Sequence, residues 1–94
     1  MMTPVALIGF GTRGRVHAQA LHAMHDIHLA AIVDLDPACA DAAKEFGAPW
    51  LPGVSRLDPS IRHALIATPG EYHASIACAL ARRGVVGVSK TNSP

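Results

Sequence analysis

The stretch that most constrains the fold is Val5–Gly14, which reads Val-Ala-Leu-Ile-Gly-Phe-Gly-Thr-Arg-Gly. A short apolar run, typical of a buried strand, leads into a glycine-rich turn, and a helical pattern begins at Arg13. Gly9, Gly11 and Gly14 have the G-x-G-x-x-G spacing of a turn that binds dinucleotide phosphates. The first glycine permits a tight turn, the second lets the backbone approach the pyrophosphate, and the third lets the helix pack closely. Because glycine-rich turns are common, the rest of the chain has to decide between this interpretation and an ordinary turn.

The composition is that of one small globular domain over residues 1–94. Half of the residues are apolar and the formal net charge is +1, which gives no bulk attraction to nucleic acid or to an anionic membrane. Two cysteines are too few for a disulfide scaffold. No apolar run approaches the roughly 20 residues that span a bilayer, and no secretory leader is recognisable. We therefore expect a soluble cytoplasmic protein that binds neither nucleic acid nor membrane.

Apolar runs alternate with helical patterns along the chain. Strands are expected at residues 4–8, 28–33, 50–51, 62–67 and 85–88, and helices at residues 13–25, at 37–46 and between 68 and 84. This alternation predicts an α/β fold of the Rossmann-like, doubly wound kind, with a parallel sheet in the strand order 3-2-1-4-5. The first two helices should cover one face of the sheet and the third helix the other face.

The helical spacing also predicts which side chains are buried. In the first helix these are Val16, Ala20, Leu21, Ala23 and Met24. In the third helix they are Ile76, Ala77 and Leu80. Asp36-Pro37 predicts the start of the second helix, and Thr68-Pro69-Gly70-Glu71 has the form of a capping box that opens the third. Gly47 and Gly84 are the expected helix ends. Cys39 and Cys78 are interpreted as small core residues on opposite faces of the sheet.

An acidic residue at the end of the second strand supports the phosphate interpretation. Asp34 lies twenty residues after Gly14, where a carboxylate hydrogen-bonds the adenosine ribose hydroxyls. A carboxylate beside a 2′-phosphate costs about 1 kcal/mol in water-like surroundings and about 4 kcal/mol at an effective dielectric of 20, so NAD is favoured over NADP. Arg13 and Arg15 oppose this preference, since an arginine can reach a 2′-phosphate. The simpler alternative is that Asp34 is an ordinary polar residue at a strand end.

A resemblance to a known family depends on the glycine turn, His17, Val33–Pro37 and the run Ala67-Thr-Pro-Gly-Glu-Tyr-His-Ala74. From about Pro4 to Gly84 the chain resembles the N-terminal domain of the glucose–fructose oxidoreductase / inositol dehydrogenase (Gfo/Idh/MocA) family. The resemblance implies hydride transfer between a nicotinamide cofactor and a hydroxyl-bearing carbon of a sugar or polyol. It also implies that Thr68, Pro69 and His73 line the cofactor crevice. The expected cofactor-binding residues are Gly9, Phe10, Gly11, Thr12, Arg13, Gly14, Asp34, Thr68, Pro69 and His73.

The family has a Glu-Lys-Pro motif after the fifth strand, where this chain reads Ser89-Lys90-Thr91. The resemblance makes Lys90 the candidate catalytic residue, and the alternative is a solvated lysine near the chain end. Family members continue into a second α/β domain that supplies the substrate pocket and the catalytic acid or base. The 94 residues have no counterpart of that domain. We therefore expect this chain to be a poor dehydrogenase by itself, because nothing orients a substrate or excludes water.

Two further interpretations of the sequence remain open. His22, His25 and His28 are close in sequence, but no cysteine or acidic residue has a matching ligand spacing, so a wet helix end is expected rather than a metal site. The chain is alternatively a non-catalytic nucleotide-binding or interaction module. Its exposed edge strand, with Val85, Val86 and Val88, would then pair with a second copy or with a partner that supplies the missing domain.

Overall fold

The computed structural model describes residues 2–68 and 72–89. Its strands are β1 (Thr3–Ile8), β2 (Ile27–Val33), β3 (Trp50–Leu51), β4 (His63–Ile66) and β5 (Val86–Ser89). Its helices are α1 (Thr12–Ala23), α2 (Cys39–Lys44) and α3 (His73–Arg82), with one 3₁₀ turn at Val54–Arg56. Within these described residues, no helix has the length and apolar character needed to cross a membrane.

All five strands form one parallel sheet in the order β3-β2-β1-β4-β5, which confirms the predicted fold class and strand order. β1 is central, and Leu7 pairs with Ile32 of β2 on one side and with Leu65 of β4 on the other. The chain adds β2 and β3 on one side of β1 and then crosses over to add β4 and β5 on the other side. The point where the strand order reverses therefore lies between β1 and β4. Folds of this kind bind ligands at the carboxyl ends of the strands, next to that reversal.

Each face of the sheet has its own hydrophobic core. Val5 and Leu7 of β1 pack with residues of α1 and α2 on one face, whereas Ala6 and Ile8 pack with Leu80 of α3 on the other. Burial on both faces explains why β1 and β2 contain continuous apolar runs rather than an apolar–polar alternation. The prediction that two helices cover one face and the third covers the other is confirmed.

A β-bulge in β2 sets which of its residues face each core. Val5 pairs with Leu29 but Ala6 pairs with Ala31, so Ala30 is an extra residue in the ladder. Because of it, Leu29 and Ile32 lie in the same core although they are three positions apart. A strictly alternating strand would place them on opposite faces.

The predicted buried face of α1 is wrong at four of its five positions. Leu21 is only 7% exposed, as predicted, but Val16 is 61% exposed. Gly14 and Ala18 are buried instead, because small side chains allow the helix to lie close to the turn and the sheet. The predicted core positions that are in fact exposed are Val16, Ala20, Ala23 and Met24.

Most of the predicted capping box, Pro69, Gly70 and Glu71, lies outside the described residues. α3 begins at His73, with Tyr72 as its N-cap and no side-chain capping hydrogen bond. The Thr68 hydroxyl is buried and has no hydrogen-bond partner in the described part of the chain. Leu80 is fully buried and Ile76 half-buried, whereas Ala77 is exposed, contrary to prediction.

The second helix and the two cysteines show smaller differences. α2 is shorter than the predicted 37–46, and Asp36 accepts a hydrogen bond from the Ala38 N–H (2.9 Å) in the turn before the helix. Gly47 and Gly84 have positive φ angles, of 69° and 74°, and follow their helices as predicted. Cys39 is half-buried, but Cys78 is exposed, so its interpretation as a core residue is wrong.

The two apolar residues that α1 places on opposite sides should respond differently to truncation. Leu21→Ala should lower the free energy of unfolding by about 2–4 kcal/mol, because it leaves a cavity in the core. Val16→Ala should change it by less than about 0.5 kcal/mol, because Val16 faces solvent. Urea denaturation followed by circular dichroism measures both. A loss above 1 kcal/mol in Val16→Ala would contradict the described face of α1.

Candidate functional site

The ends of β1, β2 and β4 are joined by backbone hydrogen bonds just where each strand finishes. The Gly9 N–H donates to the Val33 carbonyl (2.7 Å), and the Ala67 N–H donates to the Ile8 carbonyl (2.8 Å). The glycine turn after β1 is therefore flanked by Asp34 on one side and by Thr68 on the other. The structure thus brings together three of the predicted cofactor segments at one edge of the sheet.

Gly9 occupies a position that no other residue fits without strain. Its φ angle is +97°, in the region that L-residues rarely adopt. A Cβ built there would lie 2.8 Å from Thr68 Cγ2 and 3.1 Å from the Thr68 nitrogen. The tight turn predicted at Gly9 is therefore forced both by its backbone angle and by the neighbouring end of β4.

Gly14 and Gly11 differ in what a side chain would meet. A Cβ on Gly14 would overlap the carbonyl oxygen and carbon of Gly9, so the third glycine lets α1 pack onto the turn itself. A Cβ on Gly11 would meet no atom within 4 Å. The second glycine is thus not required by the packing of the chain, and it leaves open space in front of the turn.

The amino end of α1 lies beside this open space. Gly11 is the N-cap residue, no side chain caps the helix, and its first turn has no acidic residue. The Arg15 N–H donates to the Gly11 carbonyl (2.9 Å), which starts the helical hydrogen bonding. The first N–H groups of α1, including those of Thr12 and Arg13, are therefore left without an intrahelical acceptor at the positive end of the helix dipole. Such a helix end is a favourable place for an anion.

The buried side chain of Phe10 holds the glycine turn against the core. Its side chain is 2% exposed and packs edge-on against Phe46, with ring centroids 5.9 Å apart. The Arg15 guanidinium lies 5.3 Å from the Phe10 ring centroid, in a cation–π arrangement. The side chain of this predicted cofactor residue is therefore part of the core, and its contribution to the turn comes from its backbone.

Asp34 is half-buried and contacts two different turns. Its Oδ2 accepts a hydrogen bond from the Phe10 N–H (2.8 Å), and its Oδ1 accepts one from the Asp36 N–H (2.9 Å). Its backbone carbonyl accepts a third, from Trp50 Nε1 (3.0 Å). A carboxylate offers about four acceptor positions, so each oxygen keeps capacity for a ligand hydroxyl.

A cleft of about 440 Å³ opens between Asp34 and the start of α3. Leu35 and Tyr72 stand at its rim and are 87% and 53% exposed. Asp34, Thr68 and Ser75 add polar groups to a mostly apolar lining. The apolar floor consists of Ile8, Val33, Val54 and Ile76.

Sequence reasoning missed most of this cleft, because its walls come from distant parts of the chain. Only Leu35 carries a local signal, since it is a leucine in a turn directly after Asp34. Val54 enters from the 3₁₀ turn and Ile76 from α3, and only the tertiary structure brings them together.

Thr68 is one of the residues that line this cleft. Its Oγ1 is buried and makes no hydrogen bond within the described residues. Leaving such a group without a partner costs about 1–3 kcal/mol, and native structures contain few of them. Among the described residues, the hydroxyl therefore has no partner with which a ligand would compete.

The remaining predicted site residues are described in part or not at all. His73 is the first residue of α3, and Thr12 and Arg13 are in the first turn of α1. Pro69 and Lys90 lie outside the described residues.

The Cys39 thiol, close to the glycine turn, is not activated as a nucleophile. Burial raises the pKa of the Cys39 thiol, and the charges of Asp34 and Asp36 raise it further, while Arg15 acts in the opposite direction. The protonated thiol is the weakly reactive form. Within residues 2–68 and 72–89, no group of three or more side chains is placed to hold a metal ion.

Known proteins match this chain over almost its whole length. A family model, GFO_IDH_MocA, described as an oxidoreductase family with an NAD-binding Rossmann fold, matches residues 3–88. A Sinorhizobium meliloti structure assigned as a myo-inositol dehydrogenase is 30% identical, with a TM-score of 0.85, and covers 94% of this chain. A levoglucosan dehydrogenase in complex with NADH is 31% identical, with a TM-score of 0.83 over 95% of this chain. No curated protein matches the sequence.

The similarity covers only part of each dehydrogenase, and it does not identify the dinucleotide. The chain spans 27% of the length of both dehydrogenases. A Desulfitobacterium hafniense oxidoreductase described as NADPH-dependent has the same fold, with a TM-score of 0.88 over 95% of this chain and 27% of its own, but only 18% identity. The fold alone therefore does not select between the two dinucleotides.

The glycine contacts predict opposite outcomes for two alanine substitutions. Gly14→Ala should lower the free energy of unfolding by about 2 kcal/mol or more, because its Cβ overlaps backbone that cannot move freely. Gly11→Ala should change it by less than about 1 kcal/mol, the ordinary difference between alanine and glycine at an N-cap. Denaturant unfolding compares the two. Equal losses in both variants would contradict the different surroundings described for these glycines.

Proposed function

The chain belongs to the Gfo/Idh/MocA oxidoreductase family, and from that premise we propose that it binds NAD(H) in preference to NADP(H), as the cofactor-binding part of a sugar or polyol dehydrogenase. The observation that carries the proposal is the 2.8 Å hydrogen bond between the Phe10 N–H and Asp34 Oδ2. It places the carboxylate suited to a ribose directly against the turn suited to a pyrophosphate. These two recognition elements have to be neighbours, because the groups they recognise are adjacent in the cofactor.

The pyrophosphate would lie over Gly11, at the amino end of α1. The space that a Cβ on Gly11 would occupy is open, so phosphate oxygens can approach the backbone there. The uncapped N–H groups of the first helical turn supply donors, and that turn has no acidic residue to repel the anion. The glycine turn and this helix end together fit the charged part of a dinucleotide.

The adenosine would occupy the cleft between Asp34 and α3. Its apolar floor and the exposed side chains of Leu35 and Tyr72 suit the two faces of a flat base. Asp34, at the side of the cleft, has acceptor capacity for the ribose hydroxyls. The base and its ribose thereby account for both the apolar and the acidic parts of the cleft.

The charges near Asp34 favour NAD(H) over NADP(H). A 2′-phosphate would meet the Asp34 carboxylate, and the neighbouring rim residue, Leu35, has no charge to offset the repulsion. The Arg15 guanidinium lies over the Phe10 ring, which gives it a competing partner. We therefore assign the preference to Asp34.

The bound nicotinamide would supply the hydride chemistry, and the described residues bind and orient the cofactor. Sugar or polyol substrates are proposed from the names of the two dehydrogenases that are at least 30% identical to this chain. Lys90 as a catalytic residue, and Pro69 and His73 as cofactor contacts, remain proposals from the family resemblance. Catalysis also needs groups that confine the substrate above the cofactor.

A non-catalytic, self-associating module is the second candidate. It is favoured by Val86, which is 60% exposed on the edge strand β5, and by Val16 and Met24 at the surface of α1. Such a module could still use the cleft for a nucleotide. Absence of cofactor binding would exclude the first candidate and leave this one.

Titration with NADH and NADPH tests the main proposal. NADH at about a hundred times its dissociation constant should stabilise the fold by about 2.7 kcal/mol, measured as a thermal shift. NADPH should bind at least about tenfold more weakly. Gly11→Ala is the control, because it should fold but lose most of the shift. The absence of a shift at millimolar NADH and NADPH would rule out dinucleotide binding, and equal affinities would rule out the preference alone.

Removing the Thr68 hydroxyl should have opposite effects on the free and bound forms. Thr68→Val keeps the shape but deletes an unsatisfied buried atom, so the cofactor-free chain should be unchanged or up to about 2 kcal/mol more stable. NADH should bind about tenfold more weakly, since a ligand hydrogen bond is lost. Thermal unfolding and NADH titration of Thr68→Val and Thr68→Ser provide the comparison, with serine expected to retain affinity. A less stable valine variant with unchanged affinity would show that the hydroxyl is structural.

A further inference from the structure

We infer that Asp34 is also a positioning residue, whose carboxylate fastens the glycine turn in its phosphate-binding shape before any cofactor is present. The turn has to hold its backbone in one conformation, because a phosphate site made of N–H groups depends on their direction. The phosphate-binding part of this inference rests on the proposed function. The fastening itself does not.

The hydrogen bonds of Asp34 connect segments that are far apart in sequence. Phe10, whose N–H it accepts at 2.8 Å, lies between the first two glycines and 24 positions away. Its other oxygen accepts the Asp36 N–H at 2.9 Å in the turn that leads to α2. Its backbone N–H donates to the Leu51 carbonyl (3.1 Å), and its carbonyl accepts from Trp50. Asp34 therefore joins the turn after β1 to the ends of β2 and β3.

The bond to Asp34 is the only side-chain hydrogen bond that an N–H group makes within the described part of the glycine turn, and the Phe10 carbonyl has only a long contact, of 4.0 Å, with Cys39 Sγ. The sheet hydrogen bonds end with the Gly9 N–H, and the helical ones begin with the Gly11 carbonyl. The Phe10 N–H lies between the sheet and the helix and takes part in neither set of backbone hydrogen bonds. The Asp34 carboxylate is its acceptor instead. Hydrogen bonds to a charged acceptor are shorter and stronger than neutral ones.

Packing completes the restraint. The Phe10 ring is buried against Phe46, so the side chain and the amide of the same residue are held from two directions. An unrestrained Phe10 peptide could rotate and change the direction of the amides on either side of it. Asp34 thereby couples recognition of the ribose to the geometry of the pyrophosphate site.

Amide hydrogen exchange of the cofactor-free chain tests the fastening directly. In Asp34→Ala, protection of the Phe10 amide should fall by about 10- to 100-fold, as expected for loss of a hydrogen bond to a charged group. The Ile32 amide, which donates to the Pro49 carbonyl at 2.9 Å, serves as an internal reference for global stability. Asp36→Ala is the charge-matched control, because its carboxylate accepts from the Ala38 N–H and does not touch Phe10.

Binding of inorganic pyrophosphate, which has no ribose, provides the second measurement. Removing a negative charge should by itself tighten anion binding in both variants. If Asp34 holds the turn, Asp34→Ala should instead bind pyrophosphate at least about fivefold more weakly than Asp36→Ala. A Phe10 protection that stays within twofold of the unmodified chain, or equal pyrophosphate affinities in the two variants, would overturn the inference.

If Asp34→Ala does not fold, Asp34→Asn tests the same inference. Its side chain has one carbonyl oxygen in place of two carboxylate oxygens. Of the Phe10 and Asp36 amides, one should therefore lose its protection from hydrogen exchange and the other should keep it. Full protection of both amides would contradict the inference. If the unmodified chain binds neither NADH nor pyrophosphate, the proposed function fails, whereas the exchange data still decide whether Asp34 fastens the turn.

Discussion

The close contact between Gly9, Gly14 and the end of β4 is the constraint on which the rest of the site depends. Gly9 turns at a φ of +97° with Thr68 pressed against it, and Gly14 brings α1 onto the Gly9 carbonyl. Without side chains at these two positions, the strand end, the helix end and the neighbouring strand can occupy the same small volume. Gly11 has no such role in packing, so its missing side chain matters to whatever approaches from outside.

Electrostatics then divide the site into two halves. The amino end of α1 has uncapped N–H groups and no acidic residue in its first turn, which favours an anion. Asp34, on the other side of the turn, places a negative charge where hydroxyl groups can be accepted. A ligand that satisfies both halves needs a phosphate group next to a sugar, and a dinucleotide has this arrangement.

The order of the strands and the position of Asp34 could be predicted from the sequence, because both follow from patterns within short segments. The buried face of α1 could not. Gly14 and Ala18 lie in the contact while Val16 faces solvent, and small side chains give little hydrophobic contrast for periodicity to detect. The close approach of Thr68 to Gly9 could not be predicted either, because it depends on how β4 ends beside the glycine turn. The cleft was missed because the 3₁₀ turn and α3 form its walls only in the folded chain.

On the proposed function, the same contacts should make a preference between NAD(H) and NADP(H) hard to change at Asp34 alone. A substitution that removes the charge facing a 2′-phosphate also removes the acceptor of the Phe10 N–H. The gain in tolerance for the phosphate would then be offset by a less ordered turn at the pyrophosphate. Leu35 is 87% exposed at the cleft rim and has no part in these hydrogen bonds. Changes at that rim can alter the charge that a 2′-phosphate meets while the turn keeps its shape, so selectivity and turn geometry are separable there but not at Asp34.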